Sequence, residues 1–400
     1  MSRAFRRTLV RQLEGDGLIR SPPVRAAFLK VPRELFVPEF ARRQGLAAVY
    51  RDEAILTRQN RFGAPLSSSS QPAIMAAMLE ALQLEEGMSV LEIGAGTGYN
   101  AALLSQLVGK HGRVVSVEVD PAIAQEARRN MRTGGFEARV VVADGRQGVA
   151  QLAPFDRIIA TASSRLVPFS WFEQLEPHGL LEAPLQLAGG AQAIPLLRKT
   201  RTGFRSTTTI AGGFMPLRDA GEDAAAALTL PSLVATDSTT GMAMHQLVGE
   251  AVRTLSARAK RQLLSISLGD GRSRPLGLRA NASALGLFVS LTLPAQRLVA
   301  TVPLFEIGAI TRDGQSLALI RRSPARNGTV ATMSVFGSDA AAELLLERVR
   351  EWDRRGRPSE SSLAVTVRYD KRRNSRVTCR WPPASRGQRS TSRGARRRGA

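Results

Sequence analysis

Short apolar runs alternate with helix-compatible stretches between residues 89 and 160, and this alternation restricts the fold more than any other feature of the chain. The four runs are Ser89 to Ile93, Val114 to Val117, Ala138 to Val142 and Asp156 to Ala160. A strand, helix, strand order at this spacing predicts a doubly wound α/β fold, in which a mostly parallel sheet is covered by helices on both faces. Sheets of this kind bind ligands beyond the carboxyl ends of their strands.

The loop after the first run contains three glycines at alternate positions. Gly94, Gly96 and Gly98 in VLEIGAGTGYNAALL follow a strand-like run and open a helix, where glycine permits a sharp turn and the close approach of a ligand to the backbone. A dinucleotide site would have its third glycine one place later, and the carboxylate of Glu92 beside the loop would repel a pyrophosphate. The same carboxylate suits a cationic ligand, so the sequence favours S-adenosylmethionine as the cofactor.

Two more acids stand at predicted strand ends. Glu118 in SVEVDP ends the second strand, where a carboxylate accepts ribose hydroxyl hydrogens in related nucleotide folds; the alternative is a solvated strand-end acid. Asp144 precedes Gly145 in VVVADG and is a candidate acceptor for the adenine amino group, although Asp-Gly is equally typical of a simple turn. The acids and glycines together, each at a strand end in the right order, are more specific than any one of them.

The chain beyond residue 220 has a different character. The stretch DAGEDAAAA from Asp219 is typical of a linker, and alternating apolar residues at 285–291 and 363–369 then indicate strands, with a helical pattern at 340–352. We predict a cofactor-binding domain over residues 1–220 and a smaller α+β domain over 221–382. Residues 383–400 form a basic segment without large apolar side chains, which predicts a disordered tail.

Charge and cysteine content bear on partners and compartment. The formal net charge is +22, and residues 371–400 carry about half of the excess, so the tail is a candidate for nonspecific nucleic-acid contact. The chain has one cysteine, Cys379, and no apolar run of membrane-spanning length; we therefore expect a cytoplasmic protein without membrane contact. No metal site is expected, because His111, His178 and His245 lack a second His or Cys at ligand spacing.

Further motifs lie on both sides of the glycine loop. They are AFLKVPRELFVPE at 27–39, Tyr50 to Asp52, SSSSQP ending at Pro72, ADG, APFDRIIATAS, EQLEPHGLL and GGFMPL. Over residues 20–217 the chain resembles the protein-L-isoaspartate O-methyltransferase family, and a serine followed by Gln-Pro after the VPR and Tyr-x-Asp segments is specific to that family. The resemblance implies a Rossmann-like methyltransferase sheet, with Ser70 as the active-site serine. The candidate cofactor contacts are Ser69, Glu92, Gly94, Gly96, Gly98, Glu118, Asp144 and Gly145.

Ser70 has two interpretations from its position alone. A serine before a proline-containing first turn is commonly a helix cap, whereas a hydroxyl beside free N–H groups at a helix start can anchor a carboxylate. The resemblance implies that this carboxylate is the α-carboxylate of an isoaspartyl residue, which is already ionised near neutral pH. Ser70 would then orient it for in-line methyl transfer without a general base, and the ester formed can cyclise to a succinimide whose hydrolysis returns some aspartate.

Three functions fit the sequence to different degrees. The first is repair of isoaspartyl residues in damaged proteins and peptides. The second is methylation of aspartate in one dedicated biosynthetic peptide, which installs succinimide or isoaspartate there. It is suggested by the segment EAILTRQNRFGAPLSSS, which departs from the family pattern through Arg58 and Arg61, and by the added domain, which could hold a leader peptide. The third, a nucleic-acid-binding methyltransferase, follows from net charge but lacks the Asn or Asp-Pro-Pro-aromatic segment after the fourth strand.

Overall fold

The chain is described here from a computed structural model that covers residues 2–60, 65–218, 232–236, 243–278, 282–302, 306–325 and 328–381. The predicted linker after Asp219 and the predicted tail at 383–400 lie outside these residues. The described part contains two large β-sheets with flanking helices and a separate two-stranded hairpin. Within it, no helix combines the length and the apolar character needed to cross a membrane.

Helices and the hairpin precede the central sheet. Their bounds are α1 (Ser2–Gly15), α2 (Pro22–Lys30), α3 (Pro38–Val49), β1 (Ile55–Gln59), β2 (Pro65–Ser69) and α4 (Pro72–Ala81). Helix α1 buries Leu9, Val10 and Leu13 along one face, the spacing that an amphipathic surface helix requires. The first turn of α2 begins with proline, and the Ser21 hydroxyl accepts the N–H of Val24, so this helix is capped by its own sequence.

The central sheet confirms the predicted doubly wound α/β fold. Five parallel strands lie in the order β5-β4-β3-β6-β7. They are β3 (Ser89–Ile93), β4 (Arg113–Glu118), β5 (Arg139–Val142), β6 (Phe155–Ala160) and β7 (Leu175–Glu182), connected by α5 (Tyr99–Val108), α6 (Pro121–Gly134) and α7 (Phe169–Gln174). Along β3, Val90 and Leu91 are both fully buried and belong to different core clusters, as expected for a sheet covered on both faces.

Antiparallel strands extend this sheet, and the last two come from the far end of the chain. They are β9 (Gln192–Thr200) and β10 (Gly203–Ala211), with the short β8 (Leu185–Gln186) beside β9, then β18 (Ala364–Tyr369) and β19 (Ser375–Arg380). The strand predicted at 363–369 is therefore present, but it pairs with β10. Residues 364–380 thus belong to the central sheet, although the predicted domain limits placed them in the second domain.

The intervening residues form a second sheet of seven antiparallel strands. Its order is β11-β12-β14-β15-β16-β17-β13, with β11 (Ser232–Thr236), β12 (Ala243–Val248), β13 (Arg272–Leu278), β14 (Leu298–Val302), β15 (Ile307–Ile310), β16 (Ser316–Ala325) and β17 (Gly328–Gly337). Its helices are Glu250–Thr254, Ala257–Ser267, Ala282–Thr292 and Ala340–Arg354. We call residues 232–354 the second unit and the rest of the described chain the first unit.

The prediction of a strand at 285–291 is wrong, because these residues lie in the helix Ala282–Thr292. Leu285, Leu287, Phe288 and Val289 are all buried in one core cluster. A helix that is buried on nearly every side is apolar at most positions, so its sequence shows no clear period of 3.6 and an accidental alternation resembles a strand.

One apolar core runs through both units. The same cluster of buried residues contains Leu91 of the central sheet and Phe288 of the second unit. Across the boundary between the units, the ring of Phe288 lies 6.0 Å from that of Trp381, measured between centroids. The units are therefore joined by the kind of packing found inside a domain rather than by a solvated interface.

Glu182 is an acid buried within the central sheet. Its side chain is fully buried at the end of β7, and neither carboxylate oxygen has a hydrogen-bond partner among the described residues. Its strand neighbours in register are Ile159 and Leu196. Burial raises the pKa of Glu182 well above its ordinary value, so the carboxyl group is protonated in the folded chain over a wider pH range than in the unfolded chain.

Replacing Glu182 by leucine is expected to stabilise the chain by about 2 kcal/mol at neutral pH, because a buried polar group without a partner costs about 1–3 kcal/mol. The raised pKa means that the wild type loses stability as pH rises from the ordinary value of 4.5 toward the folded-state value. The gain from Glu182→Leu should therefore grow with pH over that interval. Urea unfolding at several pH values measures it, and a variant less stable than the wild type at neutral pH would contradict the assignment.

Candidate active site

A cleft of about 1780 Å³ lies at the carboxyl ends of β3 and β4, where the strand topology predicts a ligand site. Its lining combines the glycine loop, the serine segment 67–70 and residues of the second unit. Seven of the nine predicted site residues line it, namely Ser69, Ser70, Glu92, Gly94, Gly96, Glu118 and Gly145. Gly98 and Asp144 are outside the lining.

The glycine loop makes the predicted turn. Gly94, Gly96 and Gly98 all have positive φ, the region that L side chains rarely occupy. A Cβ on Gly94 would lie 2.8 Å from Thr161 Oγ1, so this glycine lets the loop pack on the chain after β6. A Cβ on Gly98 would lie 3.3 Å from the Ala127 carbonyl oxygen. Gly98 thus brings α5 close to α6 and does not face the cleft.

Glu118 is buried rather than solvated at the end of β4. The residue is 7% exposed, and its carboxylate accepts the N–H of Gly96 at 3.0 Å and the N–H of Asp120 at 3.2 Å. Burial raises the pKa of Glu118, and the two N–H donors oppose that rise. The alternative of a solvated strand-end acid is therefore wrong, and the carboxylate is held beside the glycine loop.

Glu92 lies deeper in the same cleft. It is fully buried, and one carboxylate oxygen accepts an N–H of the Asn100 side chain at 2.8 Å while the other accepts the hydroxyl of Ser116. Burial raises the pKa of Glu92 to about 7, against the lowering effect of these two donors. Sequence reasoning missed Asn100 and Ser116, whose only signal was a polar side chain within an otherwise apolar helix and strand.

Asp144 makes a simple turn, which was the alternative to the predicted adenine contact. Its carboxylate accepts the backbone N–H of Arg146 at 2.9 Å and pairs with the guanidinium of the same residue at 3.1 Å. Gly145 does line the cleft, and its carbonyl accepts the indole N–H of the fully buried Trp171 at 2.8 Å. The adenine contact predicted for Asp144 has no support from the cleft lining, whereas Gly145 is placed for a backbone contact.

Ser70 does not cap helix α4. The cap is provided by Asp52, whose carboxylate accepts the N–H of Ala73 at 2.7 Å and the side-chain amide of Gln71 at 2.8 Å. Ser70 lines the cleft, and its hydroxyl makes no hydrogen bond to another residue that the structure describes. The capping interpretation of Ser70 is thus wrong, and its hydroxyl is available to a ligand.

The serine segment is held from behind by Arg33, which sequence reasoning did not single out. Arg33 is fully buried, and its guanidinium donates to the carbonyl of Ser70 at 3.0 Å and to the hydroxyl of Ser69 at 3.3 Å. It also donates to the carbonyls of Val49 and Glu53, each at 2.8 Å. The sequence carries no clear signal of its burial, because in KVPRELF it follows a proline and precedes a glutamate, an order that also fits an exposed charged turn.

The hairpin that departs from the family pattern packs against the glycine loop. A Cβ on Gly96 would lie 3.4 Å from the Ser68 carbonyl oxygen. Arg58 of β1 pairs with Glu126 of α6 at 2.9 Å, so this departure from the pattern ties the hairpin to the helix that follows β4. Arg61 lies outside the described residues.

The second unit forms part of the cleft wall. Ser232, Gln246 and Glu250 line it together with Gly286 and Leu287. In the part of the chain that the structure describes, no group of three or more His, Cys, Asp or Glu side chains is arranged to hold a metal ion. The cleft thus combines a loop for a nucleoside-type ligand, buried carboxyl groups and a free hydroxyl at a helix start.

The proteins to which this chain is similar are methyltransferases, in agreement with the geometry of the cleft. The family described as protein-L-isoaspartate(D-aspartate) O-methyltransferase has a sequence model that matches residues 4–222, which is more than half of the chain. The chain belongs to this family. It is an S-adenosylmethionine-dependent protein carboxyl methyltransferase, as the motifs around the glycine loop implied.

Two relatives show how the similarity is distributed along this methyltransferase. The protein-L-isoaspartate O-methyltransferase of Ignicoccus hospitalis is 36% identical over 213 residues, which are 53% of this chain and 96% of the relative. That of Thermotoga maritima is 41% identical over 168 residues, which are 42% of this chain and 51% of the relative. The first relative is thus aligned over nearly its whole length with about half of this chain.

A solved structure extends the similarity further. A protein-L-isoaspartate O-methyltransferase that is 26% identical aligns with a TM-score of 0.52 over 94% of this chain and 99% of its own. Because it covers 94% of this chain, the alignment includes most of the second unit. The family match, in contrast, ends at residue 222. The methyltransferase therefore shares more than its cofactor-binding sheet with that structure.

Proposed function

We propose that this methyltransferase transfers a methyl group from S-adenosylmethionine to the free α-carboxylate of isoaspartyl residues in damaged proteins and peptides. The observation that carries the proposal is that the Ser70 hydroxyl and the Glu118–Gly96 pair line the same cleft. An acceptor group and a nucleoside-type ligand can therefore meet there. Family membership supplies the reaction type.

On the cofactor side, Glu118 is proposed to accept the ribose hydroxyl hydrogens, and the hydrogen bond from the N–H of Gly96 to its carboxylate supports this role. Gly94 and Gly96 leave room for close approach to the backbone, and Ser69 is proposed to lie beside the ligand. When bound, S-adenosylmethionine supplies an electrophilic methyl group. Glu92 provides a carboxylate near the positive charge of that ligand.

On the acceptor side, Ser70 is proposed to donate its hydroxyl hydrogen to one oxygen of the acceptor carboxylate. The other oxygen then remains free to form the new bond to the methyl carbon, while the bond between that carbon and sulfur breaks. Because the acceptor is already ionised near neutral pH, no side chain has to remove a proton. The contribution of the chain is alignment and the exclusion of water.

The affinity for S-adenosylmethionine is expected to increase as pH rises from about 6 to 8. Glu92 has a raised pKa of about 7, and a cationic ligand favours its ionised form, so binding releases a proton below that pH. The Kd should fall by up to about tenfold per pH unit below pH 7 and level off above it. Calorimetry across this range measures the effect, and Glu92→Gln should bind more weakly with a flat profile; a wild-type Kd independent of pH would contradict the role.

Ser70→Ala tests the acceptor side. The variant is expected to lower kcat/KM for an isoaspartyl peptide by about 10- to 100-fold, because a hydrogen bond to a charged group contributes about 1.5–3 kcal/mol. The Kd for S-adenosylmethionine should stay within about twofold, since the hydroxyl does not serve the cofactor. Ser68→Ala, at a cleft-lining serine two residues earlier, is the matched control and should leave both quantities near the wild-type values. Equal losses of turnover and cofactor affinity in Ser70→Ala would refute its role.

A panel of unrelated isoaspartyl peptides, each paired with its aspartyl counterpart, separates repair from a dedicated peptide substrate. Base-labile methyl label on most isoaspartyl members and on no aspartyl member supports repair. Methyl label confined to the aspartyl member of one sequence supports the dedicated role. The cytoplasmic location and the nucleic-acid contact of the basic tail remain predictions from composition.

A further inference from the structure

Arg33 is a buried cation whose hydrogen bonds converge on the acceptor segment. It is fully buried and donates to the carbonyls of Ser69 at 3.3 Å and Ser70 at 3.0 Å. It also donates to the Ser69 hydroxyl and to the carbonyls of Val49, Arg51 and Glu53. A planar guanidinium with five N–H donors is suited to hold several carbonyl groups in fixed directions.

The positive charge of Arg33 is not neutralised by direct contact with a carboxylate. All of its acceptors described above are carbonyl or hydroxyl oxygens. The nearby Asp52 acts on it only through space, since its carboxylate is bonded to Gln71 and Ala73. Burial lowers the pKa of Arg33, but the ordinary pKa of an arginine lies so far above neutral pH that the guanidinium stays protonated.

The directions of the Ser69 and Ser70 carbonyls, which accept from Arg33, also determine the directions of the N–H groups of the residues that follow them. In a trans peptide the N–H points opposite to the C=O, so the N–H groups of Ser70 and Gln71 point away from Arg33. Neither N–H makes a hydrogen bond within the described residues. Ser69, Ser70 and Gln71 line the cleft whereas Arg33 does not, so these two N–H groups lie on the cleft side of the segment.

We propose that Arg33 is the positioning residue for the acceptor carboxylate. It holds two peptide groups with their N–H donors turned to the cleft beside the Ser70 hydroxyl, and its charge lies directly behind them. The site therefore favours a carboxylate over a neutral carboxamide of the same shape. This inference rests on the proposed function, because it concerns the group that the acceptor presents.

The test compares two ligands that differ only in charge. One is an isoaspartyl peptide, and the other is its counterpart with a carboxamide in place of the free α-carboxylate. Their Kd values are measured by calorimetry with saturating S-adenosylhomocysteine, so that no transfer occurs. The wild type is expected to bind the carboxylate peptide at least about tenfold more tightly.

Arg33→Gln and Arg33→Lys form a matched pair. The lysine variant keeps the charge and should retain the carboxylate preference to within about threefold of the wild type, whereas the glutamine variant should reduce that preference to threefold or less. Affinity for S-adenosylhomocysteine should stay within about threefold in both. A glutamine variant with the wild-type preference, even if both peptides bind more weakly, would show a purely structural role and overturn the proposal.

A measurement on the wild type remains decisive if Arg33→Gln does not fold. The amide proton resonances of Ser70 and Gln71 should move downfield with the carboxylate peptide and much less with the carboxamide peptide, because an anion strengthens hydrogen bonds from both N–H groups. Equal or absent shifts would refute the proposal. A wild type that fails to methylate any isoaspartyl peptide would refute the proposed function instead, so the two failures are distinguishable.

Discussion

A chain that ends at Arg218 is expected to lose its cooperative thermal transition and to aggregate. The truncation removes β18 and β19 from the edge of the central sheet and takes Tyr369 out of its contacts with Phe169 and Phe172. Phe204 of β10, which is 1% exposed and pairs with Val367, loses its cover. Each large apolar side chain returned to water costs about 1.5–3 kcal/mol, and a whole domain is stable by only about 5–15 kcal/mol.

This result would not follow from the comparison with relatives alone. The Ignicoccus hospitalis protein is covered to 96% by an alignment with about half of this chain, which would favour a fragment of that length that folds independently. The control is a chain that ends at Pro382, which lacks only the predicted basic tail and should melt like the full chain. Tyr369→Ala should cost about 3 kcal/mol in urea unfolding. A stable, monomeric and active fragment 1–218 would show that the common core is dispensable.

Replacing Glu118 by alanine is expected to raise the Kd for S-adenosylmethionine by about 100-fold. The proposed ribose contacts are hydrogen bonds to a charged group, and losing them costs about 3 kcal/mol, of which each 1.4 kcal/mol is a factor of ten. The fold should persist, because the freed N–H groups of Gly96 and Asp120 lie at a cleft that water can enter. Calorimetry with S-adenosylmethionine measures the affinity directly.

The matched control for Glu118 is Asp120→Asn. Asp120 is two residues further on, and its side chain caps α6 by accepting the N–H of Ala122 at 2.8 Å. Asparagine is as good a cap as aspartate, so this variant should keep both the melting temperature and the cofactor affinity. A Glu118→Ala variant with unchanged affinity but reduced turnover would contradict the ribose role and would move Glu118 to the acceptor side.

The parallel sheet and the cofactor loop were predictable from sequence because their signals are local. Strands buried on both faces must be apolar throughout, and a tight turn beside a ligand needs glycine. The helix at 282–292 was missed because its local sequence carries no such signal. Where every face is buried, the sequence no longer shows which residues share a side, and only the packing decides between strand and helix.

The site also has a part that the sequence predicts and a part that only the tertiary structure shows. The sequence by itself determined the fold class, the family and seven residues of the cleft lining. These features are recognised from short motifs, in which the residues that matter are close to one another in the chain. Only the tertiary structure decided that Asp52 rather than Ser70 caps α4 and that Arg33 holds the serine segment. The tertiary structure also decided that β18 completes the first sheet. These contacts join residues far apart in sequence, and burial, which sets their strength, is a property of the folded chain as a whole.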